Sequence, residues 1–546
     1  SGVRRPASGL WHTACSLSAN PILSMNPVQL SIFANRLAGI CDEMGALLRA
    51  SALSPNIKDR LDLSCALFDA AGQLCAQAAH IPVHLGSMAY AMADLVEQRD
   101  WADGDLLVVN DPYLGGTHLP DVTVVAPVLV ADELIGFAVT RAHHANIGAH
   151  SPGSMPVSRT LEEEGLVIAP QWLKRRGDWQ LPLCRRLAGL DGPGPLPVDV
   201  PRFADFAAQA SSCLAGARRL AELAGERGTA WVATAMEALN LYGERRMRQR
   251  LAMLRDGVYR FRDWMDDDGQ GHRDIAIAVT LTVAGERAHL DFGDSAGQVD
   301  GNINCPLSVA AAAAYYCFRC LLPDDAPSCA GLFRPITLEA PEGSLVNARR
   351  PGAVAAGNVE TSSRIVDVVL GALAQAEPEA IPAASQGTMN NLAMGEGGER
   401  PWDYYETMAG GTGGHALGPG VSAVHSHMTN TLNTPIESLE EHYPLRVWRY
   451  RLRRGSGGDG HHRGGDGIER ELEFLAPARF TLLTERRYHP PWGLAGGADG
   501  AMGENRLNGA PLPAKVSAQA NPGDRLLLAS PGGGGYGPKD DHQGWR

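Results

Sequence analysis

The run Asn110-Asp111-Pro112-Tyr113-Leu114-Gly115-Gly116-Thr117-His118-Leu119-Pro120-Asp121 sets an imidazole and a carboxylate close together, and His143-His144 follow further along the chain. Two imidazoles and one carboxylate converging on a point make a three-ligand site for a divalent metal, with positions left open for water or substrate. Zinc, manganese or iron suits such a donor set. A cation held there can polarise a carbonyl or lower the pKa of bound water toward neutrality. The competing reading is ordinary turn hydrogen bonding by a loop histidine and aspartate.

The elements that must position these residues are two apolar, β-branched stretches, Val122–Val130 and Leu134–Thr140, separated by Ala131-Asp132-Glu133. They predict a β-hairpin. A turn centred on Asp132 and Glu133 sets Asp121 directly opposite His144, and opposed residues project to one face of a sheet. The expected metal ligands are therefore His118, Asp121 and His144. A β-bulge would shift the register by one residue and let His143 replace His144.

A second polar group lies upstream, in Asp59-Arg60-Leu61-Asp62 and His80-Ile81-Pro82-Val83-His84. Either carboxylate could act as general base, and either histidine could orient substrate or carry a proton. A structural ion pair of Asp62 with Arg60 or Lys58, and capping of a following helix by His84, are the alternatives. The candidate catalytic residues are Asp62, His84 and His143. A third group, Asn358-Val359-Glu360-Thr361-Ser362-Ser363-Arg364, could begin a helix and present backbone N–H groups to an anion. Simple N-capping by Thr361 or Ser362 is the stronger alternative. His461-His462-Arg463 sits in a glycine-rich loop, and Glu437, Glu440 and Glu441 near His442 read as a solvated acidic face.

Helical spacing predicts helices over about 28–50, 86–99, 202–224, 228–254, 307–322 and 361–376. Alternation predicts strands around a turn at Asp69-Ala70-Ala71-Gly72, at 105–110, and through 257–264, 274–283 and 287–292. The expected architecture is mixed α/β and multi-domain: a leader or disordered segment over 1–27, an α/β metal-site domain over 28–200, a helical segment over 201–256, an α/β middle domain over 257–384, and a glycine-rich, β-containing C-terminal domain over 385–546. With 546 residues the chain is long enough for several cores.

A formal charge of -13 and the lack of a sustained basic run argue against nucleic-acid binding, although arginines cluster at 245–246, 449–454 and 486–487. No apolar run reaches the roughly eighteen residues of a membrane span. The ten cysteines are scattered, and Cys317 and Cys320 sit in apolar, helix-like surroundings that favour buried thiols, so a reducing cytoplasm is the simplest location. The chain has no P-loop, no Gly-x-Gly-x-x-Gly after a strand with a matching acid, and no Gly-x-Ser-x-Gly elbow, so it shows no obvious place for ATP.

Ser54 to Ser64, His80 to Met88, Asn110 to Asp121, His143-His144, Pro152-Gly153-Ser154-Met155-Pro156, Gly301-Asn302-Ile303-Asn304, Gly357 to Arg364, Asn433 to Glu437, Arg463-Gly464-Gly465 and Gly532 to Gly537 together resemble the hydantoinase B / 5-oxoprolinase family. The resemblance spans nearly all of residues 28–540. It implies a subunit that works with a hydantoinase A-type, ATP-binding partner in a hetero-oligomer. ATP and magnesium would act on that partner to phosphorylate the carbonyl oxygen of a small cyclic amide or a ketone, and the present subunit would finish the reaction at its metal. By motif position, His118, Asp121 and His144 correspond to the metal-binding residues of the related ketone carboxylases. The leading expectation is an ATP-dependent hydrolase of a hydantoin, 5-oxoproline or lactam. A ketone carboxylase of the acetone or acetophenone type, and a non-catalytic scaffold, are the alternatives. The chain departs from the family pattern after the second strand, where Asn146 replaces the usual aspartate and His150 adds an imidazole expected beside the metal. An aspartate common near Arg454 is also missing.

Overall fold

The two β-branched stretches pair as expected in a computed structural model, which describes residues 25–79, 81–97, 99–397 and 401–539. His80 and most of the expected leader lie outside the described residues. The hairpin is the centre of a seven-stranded sheet built from β1 (Leu63–Asp69), β2 (Leu74–Ala79), β3 (Leu106–Val109), β4 (Asp121–Val130), β5 (Glu133–His143), β6 (Gln171–Arg175) and β7 (Asp178–Trp179). Its order is β2-β1-β5-β4-β3-β6-β7, with antiparallel pairing throughout.

Period-two alternation explains why both faces of this sheet are covered. Val122, Val124, Ala126, Ala138 and Ala142 point to one side, where helices α1 (Pro27–Ser51) and α3 (Pro201–Arg227) bury them. Val125, Phe137 and Val139 point to the other, against Met88 and Met92 of helix α2 (Pro82–Val96). Helix α4 (Thr229–Leu251) extends the first layer, with Val232, Ala235 and Leu239 in the same core. Each fully buried Val or Phe contributes about 1.5–3 kcal/mol, so the sheet is a rigid base for whatever projects from its ends. Helix α2 in turn crosses helix α5 (Leu307–Arg319) at Gly86, where a β-carbon would lie 2.5 Å from the Ala312 Cα.

A second sheet, β8 (Gly257–Asp267), β9 (Arg273–Ala284), β10 (Arg287–Asp291) and β11 (Ile336–Glu339), carries helix α6 (Ser362–Ala376) against β8 and β9. The C-terminal portion is a sandwich of two sheets. One holds β12 (Asn391–Glu396), β13 (Trp402–Glu406), β16 (Ala478–Leu483) and β19 (Lys515–Ala520). The other holds β14 (Leu445–Arg453), β15 (Gly467–Phe474), β17 (Glu504–Leu507), β18 (Ala510–Pro511) and β20 (Arg525–Ala529). Leu392, Met394, Phe480 and Leu482 of the first pack on Leu472, Phe474, Leu526 and Leu528 of the second.

The glycine runs form extended segments that hydrogen-bond to one another outside the named strands: Gly411 N to Pro531 O, Gly533 N to Gly465 O and Gly414 N to Gly534 O. Only a residue without a side chain permits this approach, since a β-carbon on Gly533 would sit 2.0 Å from Thr412 O. Arg364 and Arg486, both fully buried, share Asp263 and Asp367 and tie α6 and β8 to the C-terminal sandwich. Thr361 and Ser362 therefore serve neither as caps nor as an anion site: Ser362 Oγ donates to Asn358 O, and Thr361 Oγ1 donates to Ile303 O.

Candidate metal centre

The register of the hairpin decides which histidine meets Asp121. The chain reverses at Ala131-Asp132, both left-handed (φ 48 and 66), so Val130 pairs with Glu133. A bulge between Val128 and Leu129 then shifts the ladder by one. Asp121 consequently faces His143, and the expected opposition to His144 is corrected. Parity does the rest. Asp121 and His143 share the face of Val125 and Val139, toward α2, while His144 turns toward α3. There its Nε2 lies 2.8 Å from Gln209 Oε1, and its ring packs on Phe206 at 4.3 Å. Burial lowers the His144 pKa.

His118 reaches the same point from the loop before β4. Asn110 clamps that loop, donating to Leu119 O and Leu166 O and accepting from Ile168 N. Gly116 lets it fold tightly, because a β-carbon there would be 2.4 Å from Asn110 O. His118 Nε2 lies 3.2 Å and His143 Nδ1 3.4 Å from Asp121 Oδ1, and all three side chains are buried. One donor atom from each of the three lies within 4.8 Å of the others.

The hydrogen-bonding pattern tests whether these residues suit a cation. His118 Nδ1 is 3.2 Å from Ala355 O and must be the donor there. In its neutral form His118 then aims the lone pair of Nε2 at a carboxylate oxygen, and in its protonated form it ion-pairs with that oxygen. Neither that nitrogen nor Asp121 Oδ1 has a hydrogen-bond partner. Two electron-rich atoms face one another in a buried site, an arrangement that a positive charge between them relieves. Burial alone would lower the His118 pKa, but the Asp121 carboxylate outweighs it and raises it. A divalent cation satisfies the same demand. Metal–ligand bonds of about 2.0–2.2 Å put neighbouring ligand atoms roughly 3–3.5 Å apart, the separation that each histidine shows from Asp121 Oδ1.

The other oxygen of Asp121 is fully engaged. Oδ2 accepts from Thr117 Oγ1 at 2.6 Å and Asn358 Nδ2 at 3.2 Å, and His84 Nε2 stands 3.3 Å away. His84 Nδ1 meets Ser64 Oγ at 3.0 Å. His84 lies within the first turn of α2, so it is a support for Asp121 and not a cap. Burial would raise the Asp121 pKa, but His118 and His84 overcome it and hold the group well below the usual carboxylate range. Such outer contacts orient a ligating carboxylate. Asn358 comes from a π-helical turn, Gly357–Thr361, that leads into α6.

Asp62 lines the same cavity, with Oδ2 3.8 Å from His143 Nδ1. It makes no ion pair with Arg60 or Lys58. Leu61, between Arg60 and Asp62, is held at φ 57, a strained conformation for a bulky residue that marks functional sites. Tyr405 stacks on His143 at 4.8 Å, and Thr407, Thr429 and Thr431 complete the wall. About 20 Å³ of the cavity can take the centre of a water-sized sphere, room for about one water. The sequence does not mark Thr117, Asn358 or Tyr405 individually as site residues. Only the Asn358 group carries a signal, and that signal points to an anion.

Two other expectations are corrected. His150 is exposed and bonded through Nδ1 to Glu163 O at 3.0 Å, so it does not stand beside the proposed metal. Asn146 donates to Asp403 Oδ2 at 2.9 Å and is absent from the cavity wall. The nine cysteines among the described residues are free, and Cys320 is exposed while Cys317 is buried. No described helix is long and apolar enough to cross a membrane.

The family model for hydantoinase B/oxoprolinase matches residues 26–539. The chain belongs to that family. It is 37% identical to 5-oxoprolinase 1 of Arabidopsis thaliana over 93% of its own length but only 42% of that protein's, so it spans about two fifths of that relative. The B component of a putative D-/L-hydantoinase from a Pseudomonas species is 33% identical, with 94% of this chain and 90% of that one covered. Among solved structures, the ATP-dependent caprolactamase of Pseudomonas jessenii superposes with a TM-score of 0.86 at 28% identity, covering 94% of this chain and 92% of that one. A nucleotide-free acetone carboxylase shares the fold, with a TM-score of 0.83 at 19% identity over 95% of this chain and 77% of the other.

Proposed function

We propose that this chain is the metal-containing component of an ATP-dependent enzyme that opens a cyclic amide, with His118, Asp121 and His143 as the metal ligands. The observation that carries the reading is the pair of buried atoms, His118 Nε2 and Asp121 Oδ1, facing each other 3.2 Å apart without a hydrogen-bond partner, beside the cavity that Asp121 and His143 line. Zinc or manganese, and also iron, suits the donor set, and when bound it would supply Lewis acidity toward a carbonyl or phosphorylated oxygen. Asp62 is the proton acceptor: its carboxylate lines the cavity and accepts no hydrogen bond from the other described residues. As water adds to the carbon bearing the phosphorylated oxygen, Asp62 takes its proton. The tetrahedral adduct breaks its ring C–N bond as the nitrogen is protonated, and the acyl phosphate that remains is hydrolysed by a second water to carboxylate and inorganic phosphate. His84 and Thr117 keep Asp121 oriented while this happens.

The ATP step belongs on a hydantoinase A-type partner in a hetero-oligomer, because the chain carries no nucleotide-binding motif and covers only part of the longer 5-oxoprolinase relative. The closer match to a caprolactamase than to a carboxylase favours ring opening over ketone carboxylation. The free cysteines support a reducing cytoplasm. To test the reading, the chain and its partner are given ATP with 5-oxoproline, a hydantoin or a lactam, and separately a ketone with bicarbonate. Ring-opened product lost in Asp62→Asn is expected; carboxylated product without ring opening would overturn it.

A further inference from the structure

The cavity has a second face whose chemistry is opposite to that of the metal ligands. Arg60 is fully buried and has no carboxylate within ion-pair distance among the described residues, and its Nε has no partner. Its guanidinium lies 4.7 Å over the Tyr405 ring, with Nη1 donating to Tyr405 O at 2.9 Å and to Asn56 Oδ1 at 3.4 Å. Among the other fully buried arginines described, only Arg141 also lacks an ion pair, but each of its three nitrogens has a hydrogen-bond partner, on Thr123, Ser87 and the Gly115 carbonyl. Arg364, Arg470 and Arg486 pair with acids. A buried, unpaired cation is costly unless something anionic answers it.

The direction of the hydrogen bonds shows where that answer belongs. Arg60 Nη2 donates to Thr407 Oγ1 at 3.2 Å, and Thr407 Oγ1 is 2.6 Å from Thr431 Oγ1. A guanidinium only donates. Thr407 therefore accepts from Arg60, and whichever threonine donates the bond between the two, one hydroxyl proton of the pair is left without a protein acceptor among the described residues. Both threonines line the cavity. The backbone fixes the pair as well, since Leu432 N donates to Arg60 O.

We propose that Thr407 and Thr431, polarised from behind by Arg60, form an oxyanion subsite that takes an anionic ligand oxygen, from a phosphoryl group or a carboxylate, opposite the metal ligands. This rests on the proposed function in treating the cavity as the reaction site. The test is calorimetric titration of the 546-residue chain, metal-free and manganese-loaded, with inorganic phosphate and separately with formate. Saturable binding of one anion is expected, weakened at least tenfold in Thr431→Val and Thr407→Val and recovered in Thr431→Ser. The tighter of the two probes identifies the source of the oxygen. Failure of both anions to bind the wild-type chain overturns the proposal whether or not the variants fold, and so does equal affinity in Thr431→Val. Manganese is titrated independently. Anion binding without manganese binding keeps the subsite and defeats the metal reading; manganese binding without anion binding does the reverse.

Discussion

Replacing Thr117 with valine removes one hydroxyl from the support of Asp121 while nearly preserving shape. The bond lost is short, 2.6 Å, and made to a buried carboxylate held as an anion. Hydrogen bonds to charged groups contribute about 1.5–3 kcal/mol. Asp121 Oδ2 keeps Asn358 and His84, so the low end applies. About 1.5 kcal/mol is roughly tenfold in affinity, within the 10–100-fold expected for groups that orient metal ligands. The assay is competition for manganese or zinc against a chromophoric chelator, with thermal melting as a check on folding. Thr117→Ser should restore wild-type affinity. An unchanged dissociation constant in a folded Thr117→Val protein would refute the claim that Oδ2 contacts hold Asp121 for a metal.

Two further outcomes follow from buried charge. Burial pushes the Glu164 carboxyl up to about 7 from 4.5, against donations from Ala355 N, Ser158 Oγ and Val354 N. The folded state then keeps a proton that the unfolded chain loses, so stability should fall as pH rises from about 4.5 to about 7, by on the order of 3 kcal/mol. Urea unfolding of Glu164→Gln should show this slope removed; an identical slope in the variant would exclude Glu164 as its source. Arg470 and Glu406 pair at 2.8 Å with both side chains fully buried. Arg470→Met should cost about 3–5 kcal/mol by stranding the acid. Adding Glu406→Gln should recover part of it in the same urea titration, and no recovery would mean that the loss is packing alone.

The hairpin, the long helices and the strands of the second sheet are legible because their apolar periods are strong. The turn is not. Asp132-Glu133 is the more polar dipeptide, but the chain reverses at Ala131-Asp132, where alanine gives none of the Asn-Gly or Asp-Gly signal of a left-handed turn. That single step, combined with the bulge at Val128/Leu129, exchanges His144 for His143 opposite Asp121. The family resemblance, read by motif position, points to His144 as well. Asp62 and His84 do reach the cavity. Tyr405, Thr407, Thr429 and Thr431 come from a part of the chain that reads only as glycine-rich, and nothing local marks a threonine as the wall of a site far away in sequence. His150 is near His143 in sequence but not in space, because the chain leaves the sheet after His143 and carries it to the surface.

The central claim is that the cation is held by His118, Asp121 and His143, with His144 facing the helix behind the sheet. Metal content of purified His143→Ala and His144→Ala, measured by elemental analysis beside the wild type, tests it most directly. The account predicts about one equivalent in the wild type, its loss in His143→Ala, and its retention in His144→Ala despite lower stability from the stranded Gln209. Retention in folded His143→Ala with loss in His144→Ala would contradict it.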